Sequence, residues 1–141
     1  MCSAHWEADY VVSHGVALFP AKLPGFCADL HGEIVGFVSY VIEGGECEIA
    51  LLISDAPGQG IGTALMQAVE DAARKARCRR LWLMTTNDDL NALRFYQKRG
   101  FVLVAVHCGA AAQACKLKPQ IPLLGDDGIP IRDEIELEME L

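Results

Sequence analysis

The stretch "DAPGQGIGTAL" at positions 55–65 is rich in glycine, and its backbone could bind an anion. Gly58, Gly60 and Gly62 alternate with other residues, and the pattern from Ile61 onward predicts a helix. A strand, a glycine turn and a helix in this order place several backbone N–H groups at a helix N-terminus, where they attract negative charge. Each N–H bond to a charged oxygen contributes about 1.5–3 kcal/mol, so a few of them can hold a pyrophosphate without a side-chain cation.

Two common nucleotide-binding loops do not match this stretch. A Walker loop needs a lysine after its last glycine, but Thr63 follows Gly62 and the next basic residue is Arg74. The dinucleotide fingerprint would need a third glycine at position 63. On the glycines alone, a turn that only lets a helix pack closely stays open as an alternative.

A second segment, "TTNDDLNALRFYQKRGF" at 85–101, combines a strand end, polar helix caps and a helix that Gly100 ends. Ala92, Leu93 and Tyr96 lie along one face of that helix. Together with "GQGIGTAL", this segment resembles the GNAT superfamily of acyl-CoA-dependent N-acetyltransferases, and the resemblance is strong over roughly residues 46–101.

The resemblance implies that the glycine loop binds the pyrophosphate of acetyl-CoA, that the preceding strand holds the pantetheine, and that a tyrosine protonates the leaving thiolate. That tyrosine is Tyr96, for which an amphipathic core residue is the alternative reading. The cofactor-binding residues carried over by position are Leu51, Leu52, Ile53, Gly58, Gln59, Gly60, Ile61, Gly62, Thr63, Asn87, Asp89, Ala92 and Tyr96.

Acetyl transfer to an amine also needs a neutral nucleophile. Holding a lysine-like amine neutral at pH 7 costs about 4.6 kcal/mol, so a base or a water relay is useful. Glu48 matches the strand glutamate that some family members use as a base, although it could also be a solvated residue on the polar side of its strand. Glu46 lies on the same face and could substitute, but its place beside a turn favours a solvated role.

Three features depart from the family pattern. Pro57 stands where arginine or glutamine is usual, and it lacks a backbone N–H. Asp89 stands seven positions before Tyr96, where asparagine is usual. Only 24 residues precede "GFCADL", so the first strand of the family is expected to be missing, and a homodimer is expected to cover the face left open.

The remaining pattern predicts one mixed α/β domain over 1–141, with a mostly antiparallel sheet flanked by helices. Strands are predicted at 25–30, 34–42, 47–54, 81–86 and 101–106, and "DEIELEMEL" near the end is predicted to be a strand with one wet face. Helical spacing begins at Ile61, and a small alanine-rich helix follows the strand at 101–106.

Composition excludes several classes of partner and site. A net charge of −7 argues against nucleic acid, and no apolar stretch reaches membrane-spanning length. Six cysteines without a CxxC pair predict free thiols in the cytoplasm. The four histidines show no ligand spacing, so no metal is expected.

The sequence therefore predicts an enzyme that moves an acetyl group from acetyl-CoA to a primary amine of undetermined identity. The alternative is an acyl-CoA-binding sensor or interaction module with weak or no turnover, which Pro57, Asp89 and the short N-terminal region motivate. A purely structural interaction domain that binds no nucleotide is the third reading.

Overall fold

The structure of the protein is a computed structural model that describes residues 11–13, 16–18, 24–30, 33–54, 60–111 and 124–141. Within these ranges the strands are β1 (Val11–Ser13), β2 (Val16–Leu18), β3 (Gly25–Leu30), β4 (Glu33–Glu43), β5 (Glu46–Ser54), β6 (Arg80–Thr86), β7 (Val102–His107) and β8 (Glu134–Glu140). The helices are α1 (Ile61–Lys75) and α2 (Leu90–Lys98), and a 3-10 turn covers Asp126–Gly128.

Six strands form a sheet in the order β3-β4-β5-β6-β8-β7, while β1 and β2 form a separate two-stranded sheet. The pairings β3–β4, β4–β5 and β7–β8 are antiparallel. This mixed α/β architecture, a sheet flanked by two helices, confirms the predicted fold class. In the described part of the chain, the first strand of the large sheet is β3, and the residues before it contribute only the small sheet.

The contacts within the chain divide it into two compact units. The first contains β3, β4, β5, α1 and the beginning of β6. The second contains the rest of β6, α2, β7 and β8.

In the first unit, α1 packs on the sheet through an apolar face made of Gly62, Leu65, Met66, Val69 and Ala73. Gly36 of β4 allows this close approach, because a β-carbon there would lie 2.7 Å from Ile61 Cγ2 and 3.0 Å from Leu65 Cδ1. The first turn of α1 is therefore held directly against β4.

The β4–β5 hairpin turns at Gly44 and Gly45, whose φ angles of 60° and 77° suit glycine. Arg79 binds this turn: its N–H donates to Gly45 O at 2.8 Å, and its guanidinium donates to Gly44 O and to Glu46. Arg80 also pairs with Glu46, at 3.1 Å. Glu46 therefore lies partly exposed beside the turn, where two arginines pair with its carboxylate.

In the second unit, the expectation of one wet face on β8 is wrong. Glu134 and Glu136 lie on the face that was predicted to be wet, yet they are only 4% and 9% exposed. Glu136 Oε1 lies 3.0 Å from Nε2 of the half-buried His107 on β7. Alternation of acidic and apolar residues is thus no reliable sign of an exposed face when a polar partner lies on the adjacent strand.

The cysteines partly follow the expectation of free thiols. Cys47, Cys78 and Cys108 are free, and the first two are buried. Burial, with Cys78 and Glu48 nearby, raises the pKa of Cys47 to about 12, so this thiol stays protonated at neutral pH. Cys27 is disulfide-bonded, so the expectation is wrong there. Cys2 and Cys115 lie outside the described residues.

Most of the predicted alanine-rich helix also lies outside the described residues, which break off after Ala111. Neither helix in the described ranges is long and apolar enough to cross a membrane.

Candidate active site

An extra residue in β5 determines which side chains share a face of the first unit. Ser39 of β4 pairs with Leu51, but the next residue, Tyr40, pairs with Ile49, so Ala50 has no partner. Such a β-bulge breaks the ladder locally and shifts the alternation of side chains by one residue. As a result, Glu48 and Leu51 lie on the same face, although three positions separate them.

The bulge lies between the predicted base and the predicted pantetheine strand. Glu48 and the residues from Leu51 to Ile53 are all half-buried, whereas Cys47 and Ile49 point into the core. On the neighbouring strand, Glu48 pairs with Val41 and Ile53 pairs with Phe37. The unpaired residue Ala50 therefore lies between Glu48 and the segment from Leu51 to Ile53.

Helix α1 begins immediately after the glycine loop. Its N-cap, Gly60, has a left-handed φ of 73° and provides no side-chain cap, and the first turn contains no acidic residue. A β-carbon at Gly60 would meet nothing within 4 Å, so its backbone is open to the surroundings. The early N–H groups of a helix have no intrahelical acceptor, so this terminus can bind an anion.

The structure describes only some of the predicted loop residues. Gly60 is the cap, and Ile61, Gly62 and Thr63 form the first turn of α1. Gly62 is buried and Thr63 is exposed. Pro57, Gly58 and Gln59 lie outside the described residues.

In the second unit, Asn87 anchors the segment before β8. Its side-chain oxygen accepts hydrogen bonds from the N–H groups of Arg132 and Asp133, both at 3.0 Å, and its amide donates to Pro130 O at 2.9 Å. The amide group predicted to contact the cofactor is thus already hydrogen-bonded within the chain.

Asp88 was not predicted from the sequence as a site residue. Its side chain binds a second part of the segment before β8. It is 6% exposed, and its carboxylate accepts from the Thr86 hydroxyl at 2.5 Å and from Asp126 N–H at 3.1 Å. A β-carbon at Gly125 would lie 1.8 Å from Asp88 Oδ2, so only glycine fits at that position. No local pattern around Asp88 indicates this contact, which spans 38 residues.

Asp89 is the N-cap of α2. Its carboxylate accepts from Ala92 N–H at 3.1 Å, which satisfies a backbone donor at the start of the helix. The unusual aspartate therefore has a structural explanation, because aspartate and asparagine cap helices about equally well.

Tyr96 lies one helical turn beyond Ala92 and is 8% exposed. Its ring packs edge-on against Phe95 and Phe101, at centroid distances of 5.2 and 5.5 Å. Burial, together with the negative charge of Asp89, raises the pKa of Tyr96 well above its usual value of 10.0. The phenol therefore keeps its proton at neutral pH.

The predicted residues thus fall into two groups. Glu48, the Leu51–Ile53 segment and the start of α1 belong to the first unit, whereas Asn87, Asp89, Ala92 and Tyr96 belong to the second. Among the described residues, no group of three or more His, Cys, Asp or Glu side chains is arranged to hold a metal ion.

Comparison with known proteins gives the family. The model of the acetyltransferase (GNAT) family matches residues 4–101. The chain belongs to the GNAT family. This assignment covers both the glycine loop and the helix that contains Tyr96.

Two sequence relatives and one solved structure are similar to this GNAT protein. It is 47% identical to the uncharacterized protein YdhI of Bacillus subtilis (strain 168), over 93% of this chain and 82% of that protein. It is 48% identical to the uncharacterized protein YxbD of the same organism, over 97% and 87%. A GNAT family acetyltransferase from Elizabethkingia anophelis, solved with acetyl-CoA bound, is 26% identical with a TM-score of 0.71, over 82% of this chain and 74% of that one.

The role of Asp89 as a cap can be tested with two substitutions. Asp89→Ala removes the acceptor and should lower the free energy of unfolding by about 1 kcal/mol, whereas Asp89→Asn keeps an oxygen acceptor and should cost much less. Both remove the charge beside Tyr96, so the Tyr96 pKa should fall in both. Denaturant unfolding and NMR titration of the tyrosine ring carbons measure the two effects. Equal destabilisation by the two variants would show that the carboxylate is not acting as a cap.

Proposed function

We propose that the protein is an N-acetyltransferase that moves the acetyl group of acetyl-CoA to a primary amine. The observation that carries this proposal is the bulge at Ala50, which puts the Glu48 carboxylate on the same face as Leu51, just upstream of an uncapped helix N-terminus. A base, a backbone donor and an anion site then follow one another along about fifteen residues of chain. The family assignment and the neighbour with acetyl-CoA bound support the same choice of co-substrate.

In this proposal the pyrophosphate of acetyl-CoA binds the N-terminus of α1, at Gly58–Thr63. The pantetheine runs along Leu51–Ile53 and forms backbone hydrogen bonds there. Because the side chains of Asn87 and Asp89 are engaged within the second unit, we propose that they support the cofactor by fixing the start of α2, and that Ala92 supplies a small apolar contact.

The reaction then proceeds by direct transfer. The amine nitrogen attacks the thioester carbonyl carbon, and Glu48 takes the proton that the nitrogen loses. A backbone N–H near Leu51–Ile53 stabilises the oxyanion of the tetrahedral intermediate. The carbon–sulfur bond breaks, and Tyr96 supplies the proton for the CoA thiolate.

The environment of Tyr96 constrains its role. An ordinary thiol has a pKa of about 8.5, and each pKa unit by which the donor exceeds the acceptor costs about 1.4 kcal/mol in proton transfer. Tyr96 therefore acts first as a hydrogen-bond donor to the sulfur as the bond breaks. The apolar surroundings that raise the Tyr96 pKa also raise that of a buried thiol, which reduces the cost of the final transfer.

One observation favours the alternative, an acyl-CoA-binding module with weak or no turnover. A phenol that is 8% exposed and strongly disfavoured as an anion is a poor acid unless the cofactor sulfur reaches it. The same cofactor site would serve a sensor, so binding and turnover have to be measured separately.

Calorimetry with acetyl-CoA and a screen of primary amines separate these functions. The N-acetyltransferase should bind acetyl-CoA and release CoA in the presence of at least one amine. Binding without turnover across polyamines, aminoglycosides, lysine and peptide N-termini supports the module. Absence of binding would defeat both and leave a structural interaction domain.

The acid role of Tyr96 is tested by Tyr96→Phe, which keeps the ring contacts and removes only the hydroxyl. The value of kcat should fall about 100-fold or more, with acetyl-CoA affinity and the free energy of unfolding nearly unchanged. Because the Tyr96 pKa is raised, the wild-type rate should show no loss from ionisation of this phenol up to about pH 10. An unchanged kcat in the variant would overturn the assignment.

We also propose that the protein works as a homodimer in the cytoplasm, with its contact at β7 and not at the N-terminal face from which the first strand was expected to be missing. Val102, Leu103, Val104 and Val106 on the outermost strand β7 are 44–58% exposed, which is a large apolar area for a monomer. Light scattering at micromolar concentration should give twice the chain mass, and Val106→Lys should reduce it to the monomer. A monomeric wild-type protein would contradict this part of the proposal.

A further inference from the structure

Cys27 lies near the middle of β3, the first strand in the order of the six-stranded sheet. The residue is exposed, and its sulfur forms a disulfide bond. The three other cysteines in the described ranges are free, so the second sulfur belongs to Cys2 or Cys115. Disulfides are rare in a reducing cytoplasm, and those that form there are usually transient, catalytic or redox-sensing. A disulfide in a protein proposed to work in that compartment therefore calls for a functional explanation.

The register of the sheet connects Cys27 with the segment proposed to hold the pantetheine. Cys27 pairs with Phe37 of β4, and Phe37 pairs with Ile53 of β5. Directly paired residues lie on the same face of a sheet, and neighbouring strands are about 4.8 Å apart. The three residues therefore form a row across three strands, with the backbone of Cys27 about 10 Å from that of Ile53.

Phe37, the middle residue of this row, is 5% exposed, and its ring packs on β3. A β-carbon at Gly25 would lie 3.2 Å from Phe37 Cε2 and 3.3 Å from Phe37 Cζ. Gly25 and Cys27 are two residues apart, so they lie on the same face of β3. Because packed interiors are nearly incompressible, a change in how firmly β3 is held reaches Phe37 and, through its pairing, Ile53.

We propose that Cys27 is one half of a thiol–disulfide switch that controls how tightly the protein binds acetyl-CoA. This inference rests on the cofactor site of the proposed function. In the oxidised protein the bond limits local opening of β3, so the row that ends at Ile53 is ordered before the cofactor arrives. In the reduced protein β3 opens more often, and acetyl-CoA has to order this row as it binds, which lowers its affinity.

The bond forms by exchange with a small-molecule disulfide such as oxidised glutathione. The Cys27 thiolate attacks one glutathione sulfur, and the other glutathione leaves as a thiol. The partner cysteine then attacks the Cys27 sulfur and releases the second glutathione. The two cysteines together lose two electrons and two protons, and the glutathione disulfide becomes two thiols. The exposure of Cys27 gives the incoming disulfide access to its sulfur.

Peptide mapping by mass spectrometry tests the bond itself. After incubation of the full chain with oxidised glutathione, Cys27 should be found linked to Cys2 or Cys115, and dithiothreitol should remove the link. Cys27→Ser should abolish it, and so should one of Cys2→Ser and Cys115→Ser, which identifies the partner. Cys108→Ser changes a cysteine that is exposed but free, so this matched control should keep the link.

Calorimetry and hydrogen exchange test the consequence of the bond. The Kd for acetyl-CoA should be about threefold or more higher in the reduced wild-type protein than in the oxidised protein, because binding then orders more of the chain. The amides of β3 and of Phe37 should exchange faster in the reduced protein. Cys27→Ser should behave like the reduced protein in both buffers, whereas Cys108→Ser should respond to redox state as the wild type does.

The outcomes distinguish this inference from the function on which it rests. Equal affinity for acetyl-CoA in the oxidised and reduced proteins overturns the switch and leaves the acetyltransferase proposal intact. Absence of Cys27 from any disulfide after oxidation overturns the switch as well. A redox-dependent Kd in a protein that acetylates no amine supports the switch and defeats the proposed transfer. A protein that binds no acetyl-CoA in either redox state defeats both.

Discussion

The arrangement of the first unit depends on one constraint: where β4 and β5 pair, β5 contains one residue more, because Glu46–Ser54 lie opposite residues 36–43. Ala50 has no partner on β4, and the side chains on either side of it change faces relative to a regular strand. Cys47 and Ile49 fill the core, while Glu48 and Leu51 lie together on the other face. In a regular strand, residues three positions apart point to opposite faces, so Glu48 and Leu51 would not share one side of β5.

In the second unit, the irregular segment before β8 is bound to the residues that precede α2. Asn87 and Asp88 bind the backbone of the residues before β8, and Gly125 has no side chain because the Asp88 carboxylate occupies that space. Asp89 then caps α2. Three consecutive polar residues therefore each bind a different part of the backbone.

The secondary-structure elements and the family could be predicted from the sequence, whereas the register between paired strands could not. Helical spacing after Ile61 and the continuous apolar run of β6 are local patterns, so their assignment needs no knowledge of distant residues. The bulge at Ala50 depends on the register of two strands, which a period-two pattern does not reveal. The contact between Glu136 and His107 likewise depends on how β7 and β8 pair. The contact between Asp88 and Gly125 depends on a segment far along the chain.

The ion pairs at the β4–β5 turn have a further consequence. Arg79 and Arg80 fix the first residue of β5, Glu46, and Arg79 also fixes the turn at Gly45. The number of residues between Glu46 and Ala50 then determines which face of β5 each side chain occupies. Loss or gain of a single residue between Glu46 and Glu48 would exchange the Glu48 side chain with a core position, so the length of this short interval is constrained as well as its residue types.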